Sequence, residues 1–203
     1  RILGNQMRHR LSDALQSFRD AGKLIVGICN GFQILLKTDL LLSCDSAGPT
    51  ATLAANESRR FEDRWVRLAV DGNRCVFLSG IAEMELPIAH GEGRFVPRDE
   101  QTLAALRENG QLVLRYTSGQ GIGGSGLQSP APSPQPLVAY PDNPNGAIDN
   151  IAGICDATGR VFGLMPHPER FVDPTQPPTW TRGPPRAVGD GLRVFQNAVR
   201  YFR

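Results

Sequence analysis

The chain has 203 residues, of which 40% are hydrophobic and 21% are charged, and its formal net charge is +2. This length suits one domain with a sizeable core, and the composition is that of an ordinary globular protein. A net charge so close to zero argues against a dedicated nucleic-acid or membrane-surface binder. No apolar run approaches the length that a membrane-spanning helix needs.

The cysteines indicate the expected cellular compartment, and the first residue indicates whether a segment is expected upstream. None of the four cysteines (Cys29, Cys44, Cys75, Cys155) has a close partner at the spacing of a zinc site or a CxxC redox motif. No signal peptide is visible, so a reducing cytoplasm is the expected compartment. The first residue is Arg1 rather than methionine, and we therefore expect an upstream segment.

The beginning of the chain alternates between helical and strand patterns. Apolar residues recur at helical spacing at Met7, Leu11, Ala14, Leu15 and Phe18. Gly22 stands where a helix C-terminal cap is expected, and the apolar run 23–28 predicts a strand buried on both faces. A second helical pattern starts at Phe32. Helix, buried strand and helix in this order indicate a parallel α/β sheet.

The rest of the chain is richer in strand patterns. Further strands are predicted at 64–70, 87–90, 112–116, 151–154 and 160–165, the last two joined by a turn at 156–159. Gly, Ser, Gln and Pro dominate residues 117–136, which predicts a flexible surface loop. A closing helix is predicted to present Leu192, Phe195, Ala198 and Val199 on one face. We find no internal repeat, so residues 1–203 are predicted to form a single domain.

The strongest chemical signal is a cysteine between a predicted strand and a predicted helix, in the motif GICNGFQ at residues 27–33. Flanking glycines allow the sharp turn of a nucleophile elbow. Cys29 would then lie at a helix N-terminus, where the dipole favours the thiolate, and the Asn30 amide could donate to an oxyanion. The alternative is an inert cysteine in the core, since free cysteines are commonly buried.

A histidine and a carboxylate stand between prolines in the motif GLMPHPER at residues 163–170. Proline disfavours helix at the residue before it, so His167 should be extended, and side chains two apart then project to one side. His167 and Glu169 could thus serve as the base and the group that orients it for a thiol nucleophile. A solvated surface pair is the alternative.

These two motifs resemble the signatures of class I (triad) glutamine amidotransferases. Three further segments narrow the resemblance to the glutaminase of phosphoribosylformylglycinamidine (FGAM) synthase: NESRRFEDR at 56–64, PIAHGEGRF at 87–95 and NPNGAIDNIAGI at 143–154. The resemblance covers nearly the whole chain except residues 117–136. It implies an α/β, flavodoxin-like three-layer sandwich with a mostly parallel central sheet.

The resemblance also implies roles for individual residues. By matching position, Cys29 is the nucleophile, His167 the general acid/base and Glu169 its orienting partner, with the Asn30 amide as an oxyanion donor. Positions that hold the amino-acid end of glutamine match Gln33, Asn56, Ser58, Arg60 and Phe61. His90, Glu92 and Arg94 form a loop placed near the active site or the subunit interface, with a structural turn enabled by Gly91 and Gly93 as the alternative.

The sequence departs from the family pattern at its start. Family members begin with a strand and a later Pro-Gly-Gly loop whose amide is the second oxyanion donor, and neither is found in this sequence. The loss of one such donor costs on the order of 10²–10³ in rate in a well-studied hydrolase.

The resemblance implies that glutamine is hydrolysed through a cysteine thioester and that the ammonia passes to a large synthetase subunit, with a small accessory subunit left open. ATP and magnesium are expected on that partner, because no phosphate-binding loop is visible in this chain, which is expected to hold no cofactor or metal itself. The alternatives are a domain of a single-chain synthetase, another cysteine hydrolase or peptidase on the same fold, and an inactive scaffold.

Overall fold

In the part of the chain that the structure describes, the sheet that carries both predicted motifs has six strands and is mixed rather than mostly parallel. A computed structural model of the chain describes residues 6–7, 10–46, 48–118, 137–182 and 186–203. Within them the strand order is β1-β8-β7-β6-β3-β4, and β2 pairs with β5 in a separate two-stranded sheet. The strands are β1 (Ile25–Ile28), β2 (Ala51–Ala55), β3 (Glu62–Val70), β4 (Glu83–His90), β5 (Glu92–Pro97), β6 (Leu112–Tyr116), β7 (Ile151–Cys155) and β8 (Val161–Leu164).

Strand direction corrects one expectation. The α/β class is confirmed, but in the described part of the six-stranded sheet only β1 and β8 pair in parallel. Antiparallel strands need only a tight turn, whereas parallel strands need a long crossover. β7 and β8 are joined by the predicted turn, in which Asp156 Oδ1 accepts from the main-chain N–H groups of Arg160 and Val161, each at 3.0 Å.

The two faces of the sheet carry separate hydrophobic clusters, which confirms the expected three layers. On β8, Phe162 and Leu164 belong to one cluster, whereas Val161 belongs to the other. This alternation is what a strand buried on both faces requires. The α-helices of the described chain are α1 (Ser12–Asp20), α2 (Asn30–Leu35), α3 (Glu100–Glu108) and α4 (Asp190–Arg200), with 3₁₀ turns at Val76–Leu78, Ile148–Asn150 and Pro168–Arg170.

The flanking helices differ from prediction in which residues they bury. In α4 the fully buried residues are Gly191, Val194 and Asn197, so the predicted apolar face is only partly right: Ala198 packs against the core, whereas Val199 is 53% exposed. The polar Asn197 is buried because its Nδ2 donates to the carbonyls of Phe77 and Ser79 at 3.0 and 2.8 Å. In α1 no residue is fully buried, and Phe18 is exposed.

Several segments were not predicted as regular structure, namely β2, β5 and α3. The predicted loop at 117–136 lies outside the described residues from 119 onwards. No helix in the described ranges is both long enough and apolar enough to cross a bilayer.

Candidate active site

The turn between β1 and α2 has the strained backbone of a nucleophile elbow. Cys29 has φ 52° and ψ −106°, a conformation that non-glycine residues rarely adopt and that clusters at functional sites. A Cβ at Gly27 would lie 2.5 Å from Leu35 Cδ1 and 2.7 Å from the Gly31 carbonyl carbon. The strand and the helix therefore approach closely because Gly27 has no side chain. A Cβ at Gly31 would meet nothing within 4 Å, so Gly31 is not required by packing.

The electrostatics at Cys29 differ from the expected thiolate. Burial raises the pKa of the half-buried Cys29 thiol, and the negative charge of Glu169 raises it further. The Asn30 main-chain N–H, which hydrogen-bonds the sulfur, acts in the opposite direction and lowers this pKa. The net direction is upward because desolvation of the half-buried sulfur is the largest of these effects. The free protein therefore favours the thiol, and a base is needed to activate it.

His167 and Glu169 are in direct contact. His167 Nδ1 lies 2.6 Å from Glu169 Oε1. Their backbone differs from the extended form predicted, because Pro168–Arg170 forms a 3₁₀ turn that begins with Pro168. Since a carboxylate only accepts, Nδ1 donates to Glu169, and in the neutral imidazole the lone pair is therefore on Nε2. Nε2 is buried and has no hydrogen-bond partner among the described residues, which leaves it free to take a proton.

The two motifs meet because they leave neighbouring parallel strands at the same edge of the sheet. Ile28 at the end of β1 pairs with Leu164 at the end of β8, and the Cys29 N–H donates to the Leu164 carbonyl at 2.8 Å. The His167 N–H donates to the Pro87 carbonyl of β4 at 2.8 Å. The carboxyl ends of parallel strands are where α/β sheets place their ligand sites. Cys29, His167 and Glu169 are thus assembled at one such edge.

The predicted loop 90–94 is instead the junction of two strands, since His90 ends β4 and Glu92 begins β5. This segment reaches the edge through Glu92. Gln33 Nε2 donates to Glu92 Oε2 at 3.0 Å. Gln33 lies one helical turn after Cys29, and its N–H donates to the Cys29 carbonyl at 3.2 Å. The Glu92 carboxylate therefore contacts a side chain of the helix that begins at the nucleophile. Arg94 instead lines a cavity of about 380 Å³ between β5 and α3.

The predicted substrate-binding turn 56–61 has a strong internal organisation. Asn56 is 1% exposed, and its Nδ2 donates to the carbonyls of Arg60 and His90 at 2.9 and 2.8 Å. Ser58 Oγ donates to Glu62 Oε1 at 3.0 Å. The side chains of Asn56 and Ser58 are therefore engaged within the protein, whereas those of Arg60 and Phe61 are exposed.

His90 is buried beside the His167 imidazole. Burial, together with the proximity of His167, lowers the pKa of His90 to about 4, although Glu62 opposes this shift. The ring packs on Gly93, where a Cβ would lie 2.5 Å from Nδ1 and 2.8 Å from Nε2. His90 is therefore neutral at physiological pH.

Three polar residues near the site were not assigned roles from sequence. Tyr116 is buried, its pKa is raised by desolvation, and the charge of Cys29 raises it further, so the two residues are close. Asn145 Nδ2 donates to the Tyr116 hydroxyl at 3.1 Å and to the Gly93 carbonyl at 2.7 Å. Glu62 is buried, with Oε2 at 2.5 Å from Arg64 Nη2. In the sequence, Asn145 and Glu62 could be recognised only as polar residues within the segments 143–154 and 56–64, and Tyr116 only as part of the predicted strand 112–116.

No group of three or more His, Cys, Asp or Glu side chains in the described ranges is arranged to hold a metal ion. The site as described consists of a thiol, two imidazoles, carboxylates and main-chain amides. This combination suits acyl transfer to a thiol with acid–base assistance.

Comparison with known proteins extends over almost the full sequence. A family model described as a CobB/CobQ-like glutamine amidotransferase domain matches residues 2–202. Phosphoribosylformylglycinamidine synthase subunit PurQ of Dehalococcoides mccartyi is 42% identical over 204 residues, which span 100% of this chain and 73% of the relative. The subunit of the same name from Methanococcus maripaludis is 41% identical over 210 residues, 98% of this chain and 72% of the relative. A chain of the PurLQS structure from Thermotoga maritima matches with a TM-score of 0.65 at 30% identity, covering 98% of this chain and 72% of that chain.

Proposed function

Since this chain belongs to the family of CobB/CobQ-like glutamine amidotransferase domains, we propose that Cys29, His167 and Glu169 form the triad with which it hydrolyses glutamine to glutamate and ammonia. Its relatives are PurQ subunits of phosphoribosylformylglycinamidine synthase, and the chain is the glutamine-hydrolysing component of that enzyme. One observation supports the triad above all others. Cys29 has a strained backbone, and its N–H donates to the carbonyl of Leu164 at the end of β8. The chain continues from β8 directly into the segment in which His167 contacts Glu169.

The first half of the reaction forms a thioester. His167 Nε2, kept bare because Nδ1 is bonded to Glu169, takes the proton of the Cys29 thiol. The sulfur then attacks the side-chain amide carbon of glutamine, and the Asn30 N–H stabilises the oxyanion. When the C–N bond breaks, His167 returns the proton and ammonia leaves.

The second half regenerates the thiol. His167 removes a proton from water, which attacks the thioester carbon, and the C–S bond breaks to release glutamate. Glu169 stabilises the imidazolium in both halves, so one pair of residues acts as acid and base in turn. The raised pKa of Cys29 suits this order, because a thiol that stays protonated until the base acts is protected from adventitious oxidation.

The amino-acid end of glutamine is placed over the turn 56–61 and α2. Gln33 and Glu92 offer an amide and a carboxylate beside the nucleophile, and Arg60 and Phe61 are exposed at the rim. Asn56 and Ser58 act by shaping the turn, since their polar atoms are already bonded within the protein.

The partner of the chain is the large synthetase subunit of the same enzyme, and a small accessory subunit is a further partner. ATP and magnesium act on the synthetase, while this chain supplies ammonia and needs no cofactor of its own. Residues 1–203 form one amidotransferase domain, consistent with a family match over residues 2–202. The cytoplasm is the compartment that suits four cysteines that form no disulfide.

The test separates glutamine hydrolysis from synthesis. In the complex with the synthetase, Cys29→Ala is expected to lower glutamine-dependent amidine formation by more than about 10³-fold, because the nucleophile is lost. Added ammonia should still support synthesis in the same variant. Cys44→Ala is the matched control, since Cys44 is also a half-buried cysteine but has no place in the proposed site, and it should retain both activities. Equal loss with both nitrogen sources in Cys29→Ala would overturn the proposal.

A further inference from the structure

The buried imidazole of His90 has an unused acceptor atom. His90 is 3% exposed, and its Nε2 is among the buried side-chain atoms that have no hydrogen-bond partner in the described residues. A buried polar atom without a hydrogen-bond partner typically lowers the stability of the folded protein by about 1–3 kcal/mol. Such an atom near a reaction centre needs an explanation, and a group of the substrate that bonds it on binding is one.

Asn56 fixes which nitrogen of His90 carries the proton. Both hydrogens of Asn56 Nδ2 are engaged, one with the Arg60 carbonyl and one with the His90 carbonyl. The atom that faces His90 Nδ1 at 3.1 Å is therefore Asn56 Oδ1, which can only accept. Nδ1 must donate to it, and Nε2 of the neutral ring is left with a bare lone pair. The tautomer thus follows from the hydrogen bonds of Asn56.

The ring is fixed in place on the same side of the site as the triad base. Gly93 packs against its face so closely that a Cβ there would overlap the ring. Asn145, which donates to the Gly93 carbonyl, also bonds the Tyr116 hydroxyl, and Tyr116 is near enough to Cys29 to be affected by its charge. His167 is near enough to His90 to disfavour a second positive charge. His90 is therefore near the proposed base, and Gly93, Asn145 and Tyr116 connect it to the surroundings of Cys29.

We propose that the bare Nε2 of His90 accepts a hydrogen bond from the side-chain amide N–H of bound glutamine and retains it as that nitrogen leaves as ammonia. This inference rests on the proposed function and names a specificity residue for it. Glutamine carries N–H donors at this position, whereas the carboxylate of glutamate carries only acceptors, which a bare lone pair repels. A site that bonds a substrate N–H discriminates strongly against analogues that lack it.

Two variants separate the acceptor from the structural bond to Asn56. In His90→Asn the side-chain amide nitrogen stands where Nδ1 stands and can still donate to Asn56, but nothing reaches the position of Nε2. In His90→Gln the amide reaches the position of Nε2 and offers an acceptor there, while the bond to Asn56 is lost. A purely structural role predicts that His90→Asn is the milder change, and the proposed role predicts the reverse.

The substrate pair is glutamine and the γ-methyl ester of glutamate, which has the same carbonyl but no N–H to donate. With the ester, Cys29 forms the same thioester and methanol leaves with the proton from His167. In the complex with the synthetase, His90→Asn is expected to lower kcat/KM for glutamine by about 10- to 100-fold, the value of one buried hydrogen bond, and to change ester turnover by less than about threefold. His90→Gln should recover most of the preference for glutamine. Equal loss on both substrates, or a glutamine rate within twofold of the wild type, would overturn the assignment.

A second readout does not depend on turnover. In protein with ¹⁵N-labelled histidine, His90 should show a protonated Nδ1 and a bare Nε2 at pH 7. In the Cys29→Ala variant, glutamine should shift the Nε2 resonance, and the methyl ester should not. A proton on Nε2, or the same shift with both ligands, would sink the proposal. If the wild-type complex hydrolyses neither substrate, the proposed function fails and this inference fails with it. If the wild type hydrolyses glutamine normally but His90→Asn leaves the ratio of glutamine to ester turnover unchanged, only the role of His90 is rejected.

Discussion

The main-chain N–H of Cys29 donates to the carbonyl oxygen of Leu164 at 2.8 Å, which continues the parallel pairing of β1 and β8 by one residue. The proposed nucleophile is therefore held by the same ladder of hydrogen bonds that ends three residues before His167. The relative position of thiol and imidazole depends on strand pairing rather than on flexible loops. Substitutions that disturb the end of either strand should consequently affect both groups.

Gly27→Ala tests the close contact beneath the elbow. The new Cβ would lie 2.5 Å from Leu35 Cδ1 and 2.7 Å from the Gly31 carbonyl carbon. Because a backbone atom cannot move aside cheaply, we expect the free energy of unfolding to fall by about 1–3 kcal/mol, measured by urea denaturation. Gly31→Ala is the matched control, since its Cβ meets nothing within 4 Å, and it should be neutral or stabilise α2 by about 0.5–1 kcal/mol. Equal destabilisation by both changes would contradict this account of Gly27.

The sequence alone was sufficient to locate the nucleophile elbow and the histidine between two prolines, because each feature depends on residues that are close together in the chain. Gly27 imposes its effect on Cys29 from two positions away, and His167 meets Glu169 across Pro168. The bond between His90 and Asn56 could not be predicted in this way. Its partners lie 34 positions apart, and they meet through the pairing of β3 with β4 and of β2 with β5.

The fold shows the same division between local and distant signals. The turn 156–159 between β7 and β8 was predicted correctly, because Asp156 and its neighbours form it by themselves. β2 and β5 were missed, since Ala-rich and Gly-, Arg- and Pro-containing segments become strands only by pairing with each other. α3 was also not predicted, although Asp99 is a typical N-cap residue. Its side chain accepts from the Thr102 N–H at 2.7 Å.

Cys29 should react slowly with alkylating reagents in the free protein. Burial and Glu169 raise its pKa, so at neutral pH the thiolate fraction is smaller than for an unperturbed thiol, whose pKa is about 8.5. The rate of iodoacetamide labelling, followed by peptide mass spectrometry to separate Cys29 from Cys44, should rise with pH with a midpoint above that value. A midpoint near neutrality would show that the helix N-terminus outweighs burial.

His90 should make the protein less stable as the pH falls. Its pKa is about 4 in the folded chain and about 6.5 when unfolded, so between these values the unfolded state binds more protons. Stability is therefore fully present above about pH 6.5 and is lost progressively towards pH 4, by up to about 3 kcal/mol.

The measurement compares urea denaturation of the wild type and His90→Gln at pH 7, 5.5 and 4.5. Other titrating groups are common to both proteins, so the difference between the two curves isolates His90. We expect the variant to lose less stability than the wild type over this range. Parallel curves would mean that His90 binds protons equally in the folded and the unfolded protein, so that its imidazole is not desolvated by folding.

Gly191→Ala tests how α4 supports the catalytic turn. Gly191 is buried at the start of α4, its N–H donates to the Phe171 carbonyl at 2.9 Å, and a Cβ there would lie 2.6 Å from the Pro168 carbonyl carbon. The added methyl group must push the turn Pro168–Arg170 away from the helix, and Glu169 moves with it. Because a misplacement of about 1 Å can cost on the order of 10²-fold in rate, we expect kcat for glutamine hydrolysis to fall by about 10- to 100-fold, with a smaller change in KM. Val199→Ala, an exposed change on the same helix, should leave kcat within twofold, and ammonia-dependent synthesis should survive in both variants. A normal kcat in a folded Gly191→Ala protein would show that the position of Glu169 does not depend on this contact.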